Sequence, residues 1–396
     1  MHNGSMDCHF LDNETLRRRG TQKWNAYDPA LLPLWIAESD FSTHPEVTAA
    51  LRQAVEREAF GYPIHVDCVK EAMASFYRRR YGWAPDPEQV EITSDVVRSV
   101  QLAIELLSSP DDAIIVPVPA YMPFLELPRI TGREMLCIDA DPQPDLDQLR
   151  QAHARGGRVL ILCSPHNPLG VMYSRDCLVQ LTDLAAELGI LVIVDEIHAP
   201  ICYERPHEPV ASVSENARRV CVTATATSKA WNIAGLKCAQ MYFTNPEHQQ
   251  AFHTAGPLVT GGFSTLGLVG AAAAYTASTD YLDEQLALLR RNRDYLLQAL
   301  PDAVAGLRTS TPEATYLMWL DFSDTPFAAE SSAAAAVQHH CGAVLNDGLG
   351  FAPAGRFASC ARLNFATSPE NLERFVDALR GADVTLGTPL APKNEW

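Results

Sequence analysis

The sequence predicts an α/β protein, on three observations. Val159–Cys163 and Ile190–Val194 are continuous apolar, β-branched runs of strand length, and each gives way abruptly to polar residues. Leu178–Leu188 between them keeps helical spacing and stops at Gly189, so the chain reads strand, helix, strand. Ala113–Val118 is a third run apolar at almost every position, the pattern of a strand covered on both faces, as in a parallel sheet.

The 396 residues suffice for two domains and a large core. A hydrophobic share of 47% with 20% charged residues fits an ordinary globular chain. The formal net charge of −17 disfavours nucleic acid and anionic membrane as partners. The ten cysteines lack CxxC spacing and read as reduced, buried, small hydrophobes, so no metal site is expected. No apolar run approaches the roughly 20 residues of a membrane span. The first ten residues carry no apolar signal core, so the expected location is cytoplasmic.

In chain order, the first thirty residues are polar and expected to be partly extended. Leu32–Phe41 is a short apolar run ending in an acidic turn. Thr43, Pro45 and Glu46 signal a helix start, and Val47, Ala50, Leu51, Ala54 and Val55 continue it. Phe60–Pro63 breaks that helix, and Glu71–Tyr81 reads as another. Glu91–Ser94 is a short strand, after which Asp95, Val96 and Val97 open the helix of Arg98–Leu107. A helix start presents unpaired N–H groups and a positive dipole end, which suit a phosphate.

Ala113–Val118 delivers Tyr121, and Val159–Cys163 runs into Ser164–Gly170, where Asn167 precedes Pro168 and is held extended. Ile190–Val194 ends at Asp195, the strand end where α/β folds place ligand chemistry. Val220–Val222 leads into TATATSKAWNIAGLKCAQ at Thr223–Gln240. That stretch sets Lys229 among small and hydroxyl residues with Lys237 eight residues on. A lysine partly desolvated near another cation has a lowered pKa and becomes nucleophilic. Two solvated lysines in a polar loop is the plainer reading of the same residues.

Gly256–Gly270 is Gly-rich without a Walker pattern, and reads as a close-packed loop and helix start. A long helix over Tyr281–Leu300 bridges to the C-terminal part. There Ala314–Phe322 alternates as a strand, Ser331–His340 is helical, Val344–Phe351 is a strand entering a turn, and Arg362 sits in a further strand. Gly387–Trp396 shows no period and reads as a loose tail.

Five motifs in this order, VPVPAYMPF (116–124), VLILCSPHNPLG (159–170), ILVIVDEIH (190–198), TATATSKAWNIAGLKCAQ (223–240) and RLNFA (362–366), joined by FGYP (60–63), resemble the type I fold of pyridoxal-phosphate (PLP) enzymes. Within it the chain is similar to the cystathionine β-lyase or C–S lyase group of the class I/II aminotransferase superfamily. The resemblance runs from about Leu32 to Arg380.

It implies an aminotransferase-like fold: a large domain on a mainly parallel seven-stranded sheet and a smaller α+β C-terminal domain. The expected boundaries are 1–44 for an N-terminal segment joining the small domain, 45–290 for the large domain and 291–396 for the small one. It implies PLP bound as a Schiff base on Lys229, with Asp195 on the pyridine nitrogen, Asn167 on the phenolic oxygen and Tyr121 stacked on the ring. Val96, Val97, Ser228 and Lys237 would meet the phosphate, joined across a homodimer interface by the partner copy's Tyr62. His198 would pack near the ring or face the substrate. Arg362 would fork the α-carboxylate of an amino-acid substrate, with Trp35, Glu38 and Asn167 nearby. Tyr62 as a plain turn tyrosine and Trp35 as a core residue remain open alternatives.

The chain departs from the usual pattern at Glu38, where Asp is common, at Asp95, where Gly is common, and at Lys237, where many aminotransferases hold arginine. Ala226 replaces a phosphate-binding serine, whose hydroxyl Thr225 or Thr227 could supply. The expected reaction is β-elimination from an S-substituted L-cysteine, giving thiol, pyruvate and ammonia. The alternatives are transamination, or decarboxylation or oxidative deamination of a cysteine conjugate, and, outside catalysis, a PLP-bearing regulator.

Overall fold

A computed structural model describes residues 8–63, 66–140 and 142–384. The chain divides into two compact units. Unit 1 comprises the residues up to His9, Phe41–Ala287 and Glu313–Thr315; unit 2 comprises Phe10–Asp40, Leu288–Pro312 and the chain from Tyr316. The strand β1 (Leu32–Pro33) belongs to unit 2.

Unit 1 is built on a seven-stranded sheet of β2 (Val90–Thr93), β3 (Ala113–Val118), β4 (Met135–Asp139), β5 (Gly157–Cys163), β6 (Leu191–Asp195), β7 (Cys221–Ala226) and β8 (Ala239–Phe243). The spatial order is β2-β8-β7-β6-β5-β3-β4. Only β8 runs against its neighbours; every other pairing is parallel, which makes this the mainly parallel sheet expected. The central strands β3, β6 and β7 are buried at every position, which explains their unbroken apolar or small-residue runs. The helix before β6 is Arg175–Leu188, capped by Ser174 at its start and ended by Gly189 at φ +66°.

Gly256–Gly270 contains a helical turn, Pro257–Thr260, and the start of a helix, Thr265–Thr276. Close packing there is literal: a Cβ on Gly267 would lie 2.3 Å from the Leu236 carbonyl oxygen.

Unit 2 carries a four-stranded sheet of β9 (Arg308–Thr309), β10 (Leu317–Asp321), β12 (Asn346–Asp347) and β13 (Cys360–Asn364), in the order β12-β13-β10-β9. Separately, β11 (Ala343–Val344) pairs in parallel with β1.

Three expectations change here. The region before Leu32 is more helical than expected: besides extended residues such as Asp12 and Thr21 it forms helices Asn13–Arg18 and Gln22–Asn25. Asp12 caps the first by accepting from Thr15 N, and Leu16 and Trp24 are buried. Val344–Phe351 is not one strand: after β11 and β12 the chain turns into a 3-10 helix, Gly348–Phe351, because Asp347 accepts from Leu349 N. Ala314–Phe322 forms a strand only from Leu317. Residues 1–7 and the expected tail 387–396 lie outside the described residues.

Candidate active site

Three strands of unit 1 end together. Cys163 of β5 is in register with Asp195 of β6, and Asp195 with Ala224 of β7. Each strand then turns into one of the segments that the sequence singled out: Ser164–Gly170, Asp195–His198 and Thr227–Asn232.

Asp195 is 3% exposed. One carboxylate oxygen accepts from Ile197 N at 2.9 Å, and the other has the Cys163 thiol at 4.0 Å. Burial pushes its carboxyl up to about 7, against the pull of the Ile197 N–H and of the Lys229 charge. A carboxylate so enclosed gains from a cationic N–H partner.

Lys229 is half-buried in the turn after β7, and its charge acts on Asp195. Asn167 is buried, and with Tyr121, Phe124, Cys163 and His166 it lines a small pocket of about 10 Å³. The rings of Tyr121 and Phe124 meet edge to face at 5.4 Å. Burial holds His166 at about 3, so its imidazole is neutral at physiological pH. His198 is buried in the turn after β6.

The helix Val96–Leu107 starts as expected. Asp95 is its cap, one oxygen accepting from Arg98 N at 2.9 Å and the other pairing with Lys237 Nζ at 3.1 Å. The carboxylate is thereby committed to Arg98 and Lys237, and the N–H groups of Val96 and Val97 have no acceptor within the helix. Lys237 itself sits at φ +52°. Thr225 drops out as a replacement donor, because its hydroxyl already donates to the Glu196 carbonyl at 3.2 Å. Thr227 and the half-buried Ser228 remain beside Lys229.

Tyr62 is fully exposed, and Phe60, Leu258 and Val259 are exposed as well. Thr265 Oγ1 donates to the Gly61 carbonyl at 2.7 Å, and Arg98 Nη2 to the Val259 carbonyl at 3.2 Å. The first ties the turn of Tyr62 to the helix Thr265–Thr276, and the second ties Pro257–Thr260 to the helix that Asp95 caps.

Unit 2 holds the other candidates. Arg362 is 1% exposed; its Nη2 donates to the Trp35 carbonyl at 3.0 Å, and its guanidinium lies 5.3 Å from the Phe351 ring centre. Trp35 is half-buried, its indole N–H bonded to the Lys23 carbonyl and its ring edge-on to Tyr27. The Glu38 side chain accepts from Thr21 Oγ1.

Sequence reasoning passed over Glu196. It is wholly buried, accepting from Val210 N and Tyr242 OH at 2.8 Å, with His207 Nε2 at 3.2 Å. A carboxylate next to Asp195 inside an apolar run was the available signal, since a buried charge needs partners. Asn364 and Tyr316 were also missed; both are fully buried in unit 2.

A mainly parallel sheet with a buried aspartate, a lysine and an Asn-Pro turn at its strand ends defines an aminotransferase-type α/β protein. The chain matches the aminotransferase class I and II family over residues 31–379 and belongs to it. It is 46% identical to the cystathionine beta-lyase of Corynebacterium glutamicum, over 92% of this chain and 97% of that protein. It is 31% identical to the cystathionine beta-lyase PatB of Bacillus subtilis, over 77% and 83% of the two chains. Among solved structures, a putative PLP-dependent beta-cystathionase from Corynebacterium diphtheriae superposes with a TM-score of 0.92 at 42% identity, covering 95% of this chain and 99% of that one.

Proposed function

We propose that this protein is a PLP-dependent carbon–sulfur β-lyase that cleaves S-substituted L-cysteines, cystathionine among them, to a thiol, pyruvate and ammonia. The observation that carries it is the likeness to a cystathionine beta-lyase along nearly the whole of both chains.

The residues fit the cofactor. Asp195 is a buried carboxylate wanting a cationic N–H, the Val96 and Val97 N–H groups with Lys237 suit a phosphate, and Asn167 and Tyr121 share one pocket. Bound PLP supplies an electron sink for the carbanion that forms at Cα.

The chain's own groups do the rest. Arg362 holds the substrate α-carboxylate through its planar fork. Lys229 Nζ accepts the Cα proton, and its own positive charge then stays close to the Asp195 carboxylate. Asp195 would hold the ring nitrogen of the cofactor, where its negative charge would favour the protonated ring. The Tyr121 ring would pack against the cofactor and exclude water from it. Thr227 and Ser228 hydroxyls, with Lys237, hold the phosphate in place of the serine that Ala226 replaces.

The test is to supply L-cystathionine and simpler S-substituted L-cysteines to the PLP-loaded protein without any keto acid. Pyruvate and thiol in equal amounts are expected. Accumulation of the amine form of the cofactor, reversed by added keto acid, would instead assign a transaminase.

We also read the protein as a cytoplasmic homodimer, with Tyr62 meeting the partner copy's cofactor phosphate. The exposed Phe60, Tyr62, Leu258 and Val259 support this, since large apolar side chains left in solvent suit a partner. The ten free cysteines fit a reducing compartment. Light scattering should return twice the 43.4 kDa chain mass, and a fully active monomer would remove the reading.

A further inference from the structure

The segment Trp35–Glu38 of unit 2 pairs with no strand; it bends at Ile36 and Ala37. Its carbonyls therefore depend on other donors. Four in succession accept hydrogen bonds from side chains. Arg362 Nη2 donates to the Trp35 carbonyl at 3.0 Å. Asn364 Nδ2 donates to those of Ile36 and Glu38 at 2.6 and 2.8 Å. The Tyr316 hydroxyl donates to that of Ala37 at 3.0 Å.

The three donors come from one piece of sheet. Arg362 and Asn364 lie two residues apart on β13, where their side chains share a face. Tyr316 immediately precedes β10, and Leu317 is in register with Asn364. Asn364 is used up on every side: its N–H donates to the Leu34 carbonyl and its Oδ1 accepts from Ala366 N. A buried ion pair anchors the next residues, with Lys23 Nζ 3.0 Å from Asp40 Oδ1 and also bonded to the Ala366 carbonyl.

We infer that Asn364 and Tyr316 are positioning residues that fix the 35–38 segment in register with the Arg362 guanidinium. The fork of Arg362 is planar, so the bond from Nη2 to the Trp35 carbonyl sets the direction of its other donors. Asn364 grips the carbonyls on both sides of Ala37, and Tyr316 grips Ala37 itself. The segment cannot slide along β13 without breaking all of these together. A carboxylate bound by two parallel N–H bonds tolerates little misplacement of the fork. The inference rests on the reading of Arg362 as the holder of the substrate carboxylate.

The experiment compares the PLP-loaded wild type with Asn364→Ala, Tyr316→Phe and Arg362→Lys, measuring kcat and KM for L-cystathionine by pyruvate release, with thermal melts alongside. Arg362→Lys keeps the charge and loses the fork, so its KM should rise by on the order of tenfold to a hundredfold. Asn364→Ala, which removes two donors, should raise KM by about tenfold, and Tyr316→Phe by about two- to fivefold, both with kcat retained within about threefold. General loosening of the unit would lower the melting temperature and kcat together and would not give that split. A raised KM in Arg362→Lys with unchanged KM in the other two would overturn the inference and leave the carboxylate reading standing. An unchanged KM in Arg362→Lys would remove the carboxylate reading and the inference with it. Should Asn364→Ala not fold, Tyr316→Phe decides alone, because it deletes one hydroxyl from an otherwise unaltered ring.

Discussion

Lys229→Ala should bring pyruvate production from S-substituted cysteines down by a factor on the order of 10³ or more. Two losses combine in that figure. The amine that holds the cofactor carbonyl is gone, and so is the base that takes the Cα proton. Lys229 lies half-buried in a turn rather than in the sheet, so the melting temperature should move little. A small amine such as methylamine, added at high concentration, should restore part of the rate, because it can replace the missing base without a tether. Retention of near wild-type pyruvate release would remove Lys229 from the chemistry and with it the lyase proposal.

Asp195→Asn should cost the loaded enzyme on the order of 10² to 10³ in kcat, because an amide places no negative charge beside the ring nitrogen. A second consequence appears without any cofactor. Burial holds the Asp195 carboxyl at about 7 in the folded protein, against 3.8 for an ordinary aspartate. Between those values the unfolded chain has released a proton that the folded chain keeps. The unfolded state binds fewer protons there, so the stability of the cofactor-free form falls as pH rises through the window and levels off above it. The shift corresponds to on the order of 4 kcal/mol at most. Asparagine does not titrate, so the cofactor-free variant should lack this part of the slope and be the more stable form at pH 8. Melts of both cofactor-free proteins from pH 4 to 8 check it, and parallel curves would show that Asp195 is not held up by burial. Bound PLP should flatten the wild-type slope by giving the carboxylate its partner.

Much of unit 1 was legible because its central strands are buried on both faces, and burial of that kind writes itself into sequence as unbroken apolar runs. The position of Asp195 followed, since a charged residue closing such a run must stand at the strand's end. Lys229 and Asn167 were legible through motif order. Glu196 was not: its partners Tyr77 and Tyr242 come from distant parts of the chain, and Val210 and His207 from the loop beyond the next turn, at no periodic spacing. What the Asp95 carboxylate does could not be read from its neighbours in sequence. As a residue type it argues against a phosphate nearby, but the fold turns its carboxylate to Arg98 N and Lys237. Thr225 shows the opposite error, a hydroxyl that looked available and is already bonded to Glu196.

By itself, then, the sequence determined the α/β class and five of the seven strands of the main sheet, missing β4 and β8. Periodicity and capping act over a few residues, and that is the range at which a chain can be read directly. Only the tertiary structure decided which hydroxyls and carboxylates are committed elsewhere. It alone brought Asn364 and Tyr316, some 280 to 330 positions from the segment they hold, onto four consecutive carbonyls. Hydrogen bonds between residues so far apart leave no periodic trace, because nothing about either residue's neighbours in sequence depends on the partner it will meet.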